Sequence, residues 1–183
     1  MVYRNEHSLV GSRCRESMVF ADRGRGHLLP NDRSGDTRFN QGEEAPDSTV
    51  SLRSLALKLS DGSVMWDTEL FNLPTGPIHK KNSHASPTPL FEDGKVYVHF
   101  GHNGTACLEA DTGKVIWKQN NLSYPPRHGS GSSPIIVGDK LIYSADGDED
   151  PSIIALNKAD GSLVWKTIRG VEVKRPFSFA TPL

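Results

Sequence analysis

The apolar residues of this chain fall into short runs that are typical of β-strands. Residues 94–101 (GKVYVHFG) and 139–147 (DKLIYSADG) are rich in β-branched and aromatic side chains, and each run ends at a glycine. Residues 104–118 (GTACLEADTGKVIWK) predict a strand, a tight turn containing Asp and Gly, and a second strand. No long segment places its apolar residues every 3.6 positions, which disfavours helical repeats. The pattern therefore predicts an all-β protein of short antiparallel strands.

One phrase occurs three times, and each copy has a tryptophan four positions after a glycine. The tryptophans are Trp66, Trp117 and Trp165, and the glycines are Gly62, Gly113 and Gly161. The tryptophans are 51 and 48 residues apart, and a Ser-Pro or Thr-Pro pair keeps nearly the same period at residues 86–87, 133–134 and 181–182. Four short strands in such a period are the size of a β-propeller blade. These six residues are predicted to be structural, with each indole ring covering the turn of the next blade.

The three phrases resemble the PQQ-like (pyrrolo-quinoline quinone) repeat, A-L-D-x-x-T-G-x-x-x-W, which is a tryptophan-docking motif. They are ALKLSDGSVMW (56–66), CLEADTGKVIW (107–117) and ALNKADGSLVW (155–165). The family includes quinoprotein alcohol dehydrogenases and the outer-membrane assembly lipoprotein BamB. Residues 79–90 (HKKNSHASPTPL) and 127–137 (RHGSGSSPIIV) are similar to large envelope propellers of the planctomycete type, some of which are labelled as relatives of serine/threonine protein kinases. The resemblance covers about residues 55–183 and implies antiparallel β-propeller blades of the PQQ-like type.

The period predicts an incomplete propeller of about two and a half blades, whereas a closed ring needs about 4–8. The end of one blade occupies residues 49–75, two blades follow at about 86–133 and 133–180, and residues 181–183 begin another. Residues 1–48 hold seven arginines, no lysine and no strand periodicity. They are interpreted either as a disordered linker or as a segment outside the native reading frame. Both interpretations fit a piece of a larger propeller.

Polar residues cluster in the segments that open the two complete blades. The first segment holds His79, Lys80, Lys81, Asn82 and His84, and the second holds Arg127 and His128. In propellers these connections lie at one rim near the central channel. The seven residues are therefore candidates for binding an anion, a metal or a partner, with His84 and His128 as a conceivable metal pair. The preferred alternative is a solvated loop with structural hydrogen bonds, because the spacings match no metal motif.

Three carboxylates alternate in residues 146–151 (DGDEDP), and alternating carboxylates can supply oxygen ligands for Ca²⁺. Asp146, Asp148 and Asp150 are weak candidates, because Pro151 occupies the position where an EF-hand loop needs glycine. An exposed acidic turn is preferred, and no metal is predicted. Cys14 and Cys107 show no metal-ligand spacing, and Cys107 is expected to be a small core residue.

Composition excludes several kinds of partner. The net charge is −1 and 36% of the residues are apolar, which gives no electrostatic footprint for nucleic acid. No run approaches the roughly 18 apolar residues of a membrane span, and no apolar region follows the N-terminal charges as in a signal peptide. The compartment stays unassigned, although the resemblance implies an extracytoplasmic parent family.

No catalytic motif is recognisable in the chain, which lacks GxSxG, Walker and HExxH patterns and the paired kinase motifs. The resemblance implies that quinoprotein dehydrogenases hold their quinone in a closed ring over Ca²⁺, often beside an adjacent-cysteine disulfide. This chain has no such cysteine pair, so PQQ is not expected here and no catalytic or cofactor-binding residue is assigned. The leading hypothesis is a non-catalytic, BamB-like binding or scaffold module of the cell envelope, whose partner is a protein or the remaining blades. The alternatives are a fragment of a PQQ-dependent oxidoreductase and the sensor portion of a kinase-related protein.

Overall fold

The computed structural model describes six stretches of the chain and, in the first of them, the backbone alone. These stretches are residues 17–24, 49–74, 78–79, 82–147, 149–170 and 178–183. Within them, eleven strands form three antiparallel sheets, and each sheet follows the order of the sequence. The predicted all-β class and the antiparallel blades are confirmed.

The first sheet contains β1 (Ser17–Gly24), β2 (Val50–Lys58) and β3 (Val64–Leu73). β1 pairs with β2 along its whole length, from Ser17 opposite Lys58 to Gly24 opposite Ser51. Residues 1–48 show no strand periodicity in the sequence, yet these eight residues form a strand. Backbone pairing satisfies the N–H and C=O groups at the edge of β2 and needs no alternating side chains, so periodicity did not reveal it. The rest of residues 1–48 lies outside the described residues, and the interpretations of that segment stay predictions.

The second and third sheets are four-stranded meanders that match the two predicted periods. The second contains β4 (Leu90–Glu92), β5 (Lys95–His99), β6 (Thr105–Glu109) and β7 (Val115–Gln119). The third contains β8 (Ile135–Val137), β9 (Lys140–Ala145), β10 (Ser152–Asn157) and β11 (Leu163–Ile168). A 3-10 turn, Gly101–Asn103, lies in the connection between β5 and β6.

The same turn precedes the last strand of every sheet, and we call residues 59–62, 110–113 and 158–161 the docking turns. Each ends at a glycine with φ between 70° and 75°, a backbone conformation that disfavours side chains. In the second docking turn, the Gly113 N–H donates to the Glu109 carbonyl oxygen at 2.9 Å. The register of the last strand pair shifts immediately beyond the turn, at Cys107 and Leu108 in the second sheet. This bulge sends Val115 and Trp117 to opposite faces, although residues two apart in a regular strand share a face.

Two apolar cores lie between successive sheets, and a tryptophan closes each one. Trp66 is 9% exposed and donates its indole N–H to the Ala110 carbonyl oxygen at 2.8 Å, across the boundary between the first and second sheets. Trp117 is 8% exposed and donates to the Lys158 carbonyl oxygen at 3.0 Å, across the next boundary. These contacts match the predicted docking of each ring on the following turn. Trp165, in contrast, is 37% exposed.

Candidate functional site

The segments that open successive blades lie side by side and are joined by hydrogen bonds. The His79 N–H donates to the His128 carbonyl oxygen at 3.2 Å. The Asn82 side-chain amide donates to the carbonyl oxygens of His128 and Ser130, at 2.9 and 3.1 Å. The Asn82 side-chain oxygen accepts from the Ser86 hydroxyl at 2.6 Å. Asn82 thus fixes its own segment and ties it to the next one.

The Ser-Pro marker of the repeat also forms hydrogen bonds between the segments that open successive blades. The Thr88 N–H donates to the Ser133 hydroxyl oxygen at 2.9 Å, and the Ser133 N–H donates to the Thr181 hydroxyl oxygen at 3.2 Å. Ser133 therefore connects the segment before it in the chain to the segment after it. The second periodic marker of the sequence corresponds to a structural contact between blades.

A cleft of about 520 Å³ opens where these segments meet, and it is lined by His79, Asn82, His128, Gly131 and Phe179. The two imidazole rings meet edge to face, with their centroids 5.6 Å apart. A Cβ atom at Gly131 would lie 2.7 Å from the Phe179 ring, so glycine is needed for this close approach. The cleft therefore combines an apolar aromatic wall with two imidazoles and hydrogen-bonding backbone.

The predicted rim residues are only partly brought together. His79, Asn82 and His128 line the cleft, whereas Arg127 is exposed beside it and is not a lining residue. His84 is 2% exposed and belongs to the interior instead of the cleft wall. Lys80 and Lys81 lie outside the described residues. In the part of the chain that the structure describes, no group of three or more His, Cys, Asp or Glu side chains could hold a metal ion.

The acidic turn is arranged differently from the prediction. Asp150 is exposed, but Asp146 is buried, with one carboxylate oxygen 3.1 Å from the Arg169 guanidinium. Burial raises the pKa of Asp146, and the charge of Arg169 opposes that rise. The interpretation as an exposed acidic turn is therefore wrong for Asp146. Asp148 lies outside the described residues.

A buried polar cluster between the second and third sheets was missed by the sequence analysis. The His99 Nδ1 lies 2.9 Å from the Thr105 hydroxyl oxygen, and its ring lies 4.2 Å from the Tyr143 ring. Burial lowers the pKa of His99 to about 3, so its imidazole is neutral at physiological pH. The only signal in the sequence was a histidine inside the apolar strand pattern GKVYVHFG.

Cys107 is a fully buried residue of the core between the second and third sheets, as the sequence predicted. Burial raises the pKa of its thiol to about 11, which keeps the sulfur protonated and unreactive at neutral pH.

The repeat phrases, the three sheets and the tryptophan contacts agree with a comparison to known families. Residues 48–168, about two thirds of the chain, match the family described as outer membrane protein assembly factor BamB, of the PQQ repeat type. The chain belongs to this family.

Curated relatives of this PQQ-repeat chain are of two kinds. BamB of Yersinia pestis is 25% identical over 152 residues, which cover 70% of this chain and 38% of that protein. The quinoprotein ethanol dehydrogenase of Pseudomonas aeruginosa is 33% identical over 81 residues, which cover 42% of this chain and 12% of the enzyme. The chain thus spans well under half the length of these relatives.

Solved structures similar to the chain are of the same two kinds. A europium-containing methanol dehydrogenase superposes with a TM-score of 0.48 and 18% identity, covering 66% of this chain and 23% of that one. BamB from Moraxella catarrhalis superposes with a TM-score of 0.46 and 19% identity, covering 72% of this chain and 38% of that one. Among the described residues, no helix has the length and apolarity that crossing a bilayer requires.

Proposed function

We propose that the chain is the binding portion of a non-catalytic propeller that takes up a protein partner in the cell envelope. The observation that carries this proposal is the cleft between the blade-opening segments. Its walls are held by hydrogen bonds from Asn82, while the rings of His79, His128 and Phe179 line the open space. Aromatic surface with a few fixed polar groups is typical of protein-binding sites.

Membership of the BamB family supports this choice of function. The relatives in Yersinia pestis and Xanthomonas campestris are both named outer membrane protein assembly factor BamB. A preformed cleft suits the binding of a protein partner, because it lowers the entropic cost of association. The imidazole edges can exchange hydrogen bonds with a partner's backbone, and the Phe179 ring offers apolar contact.

In-cell photo-crosslinking tests this proposal. A photoreactive phenylalanine analogue replaces Phe179 in the cleft, and in the control it replaces Asp139, which is exposed in the turn between β8 and β9. We expect a discrete protein adduct from position 179, weakened by His128→Ala, and none from position 139. Identical adducts from both positions, or an adduct that His128→Ala leaves unchanged, would contradict the proposal.

The second candidate function is part of a quinoprotein oxidoreductase, which the 33% identity to the ethanol dehydrogenase favours. A quinone held over Ca²⁺ would need several oxygen ligands for the ion. The cleft offers two imidazoles, glycine, phenylalanine and an asparagine whose side-chain oxygen already accepts hydrogen bonds from Ser83 and Ser86. These lining residues do not fit such a group. None of these observations bears on the kinase-related alternative.

Titration of the purified chain with PQQ and Ca²⁺ separates the two functions. Under the binding-module proposal, tryptophan fluorescence shows no saturable quenching by PQQ. Saturable quenching that requires Ca²⁺ would favour the oxidoreductase instead.

A further inference from the structure

Two histidines of the cleft come from successive blade-opening segments, and backbone contacts hold them together. His79 lies in the connection from β3 to β4, and His128 lies in the connection from β7 to β8. The His79 N–H donates to the His128 carbonyl oxygen at 3.2 Å, and the Asn82 side-chain amide donates to the same oxygen at 2.9 Å. The fold therefore fixes the two backbones relative to each other.

A glycine directly after His128 allows this close approach of the two segments. Gly129 has a φ of 84°, and a Cβ at this position would lie 2.8 Å from the Ile78 side chain and 2.9 Å from the Asn82 side-chain nitrogen. A side chain here would push the segments apart and carry the two imidazole rings with them. The local sequence is thus adapted to keeping the pair together.

The separation of the two rings is close to that of two histidines bound to one metal ion. Their centroids are 5.6 Å apart, and their planes are inclined by 80°. A histidine nitrogen binds Zn²⁺ at about 2.0–2.1 Å, and the ring centroid lies roughly 1.1 Å beyond that nitrogen. Two histidines on a tetrahedral ion therefore have centroids about 5.2 Å apart. A small rotation of either side chain is enough to bring both nitrogens to one ion.

The rest of the cleft leaves room for further ligands on such an ion. The cleft encloses about 520 Å³, and its other lining residues, Asn82, Gly131 and Phe179, carry no charge. Imidazole nitrogens suit Zn²⁺, Cu²⁺ and Ni²⁺, whereas Ca²⁺ and Mg²⁺ take oxygen ligands. Because the described residues bring no third His, Cys, Asp or Glu to the pair, the remaining positions are open to water or to a partner.

We propose that His79 and His128 bind a divalent transition-metal ion of the Zn²⁺ class, and that a side chain of the protein partner completes its coordination. The first half of this inference concerns the chain alone, whereas the second half rests on the proposed function. The sequence named His84 as the companion of His128, but His84 is 2% exposed and does not line the cleft, so His79 takes that place. The ion restricts the partner to segments that present histidine, cysteine or a carboxylate.

Zinc binding by the full chain tests the ion site. In isothermal titration calorimetry with zinc chloride, we expect a saturable site in the wild type and at least about tenfold weaker binding in His79→Ala and in His128→Ala. Loss of even an outer-shell partner typically costs about 10–100-fold in metal affinity. His102→Ala is the matched control, because His102 lies in the 3-10 turn and does not line the cleft.

All four proteins contain residues 1–48 unchanged, so any zinc binding by that segment is common to them. Far-UV circular dichroism establishes that the variants are folded. Folded variants of His79 and His128 that bind zinc as tightly as the wild type would overturn the site.

Crosslinking from position 179, repeated with a membrane-permeant zinc chelator, tests the contribution of the partner. We expect the chelator to abolish the protein adduct and added Zn²⁺ to restore it. An adduct that the chelator leaves unchanged would overturn the partner's role in coordination while the proposed function stands. Zinc binding that both histidine variants lose, without any adduct, would contradict the proposed function and support the ion site.

Discussion

At the scale of single residues, the docking turns show why glycine is required. Gly113 and Gly62 have nearly the same φ, 70° and 74°, but only Gly113 lies under a tryptophan ring. A side chain at either position destabilises the left-handed backbone conformation, and a side chain at Gly113 also displaces the Trp66 ring. The pair therefore separates backbone strain from packing.

Gly62→Ala is expected to lower the free energy of unfolding by about 1–2 kcal/mol, which is the cost of a left-handed alanine. Gly113→Ala is expected to cost at least about 1 kcal/mol more, since overpacking adds roughly 1–3 kcal/mol. Urea unfolding at low protein concentration measures both. Equal losses would mean that Trp66 moves aside without cost.

Asp146 provides a prediction on pH dependence. Its pKa in the folded chain is raised above the ordinary value of 3.8, so the folded state holds the proton more tightly than the unfolded state. The stability that this proton contributes is present below pH 3.8 and is lost as the pH rises through the raised pKa. We expect Asp146→Asn to melt at or above the wild-type temperature at pH 7, with the gap narrowing as the pH falls. One kcal/mol corresponds to about 2–4 °C in a chain of this size.

Thermal melts of both proteins from pH 7 to pH 4 check this expectation. A wild type that melts higher at pH 7 would show that the ion pair with Arg169 outweighs the burial of the carboxylate. Asp150→Asn is the matched control, because Asp150 is exposed in the same turn and its replacement should leave the melting temperature nearly unchanged.

The sequence predicted the tryptophan contacts but not the environments of His99 and Asp146. The indole contacts recur with the repeat, so a period in the sequence is enough to reveal them. The burial of His99 and Asp146 depends on which neighbouring sheet covers them, and no local pattern carries that information. The cleft was predicted in part. His79 and His128 lie together in it, as expected for residues of the segments that open two successive blades, whereas His84 is buried in the interior.

At the scale of elements, the joint between sheets is the unit of stability. Trp117 closes the core between the second and third sheets, together with Tyr97, Tyr143 and Leu156. Trp165 occupies the same position in its own strand but has no sheet beyond it in the described part of the chain. Substitution of Trp117 therefore measures how much a contact between two sheets contributes to stability. Substitution of Trp165 measures the contribution of the same position on an uncovered sheet.

Trp117→Ala is expected to lower the free energy of unfolding by about 3–5 kcal/mol, as for other buried aromatic residues. Trp165→Ala should cost less than about 1 kcal/mol in the monomer, since its ring is partly in solvent. Urea denaturation measures both values. Comparable losses would show that Trp165 packs within its own sheet more strongly than its exposure indicates.

At the scale of the whole molecule, three sheets stacked through nearest-neighbour contacts behave as a short repeat array. The middle sheet is covered on both faces, and β6 is buried along most of its length. Every residue of β11 is exposed. Stability is therefore expected to fall from the middle of the array toward its end.

Amide hydrogen exchange tests this gradient. We expect the amides of β5 and β6 to exchange slowest and those of β11 to exchange fastest, by at least about tenfold, which corresponds to about 1.4 kcal/mol of opening free energy. Uniform protection across the three sheets would indicate one cooperative unit instead of a stack.

The contact between each tryptophan and the docking turn of the next sheet also determines how such a gene can lengthen. A tandem duplication of one whole period places a new glycine turn beneath the preceding tryptophan and a new tryptophan above the following turn, so both flanking contacts survive. An insertion of one residue within a strand would turn the side chains beyond it to the opposite face and break the contact. Growth in whole periods is thus nearly neutral for packing, and the number of blades is free to vary while the joint stays the same.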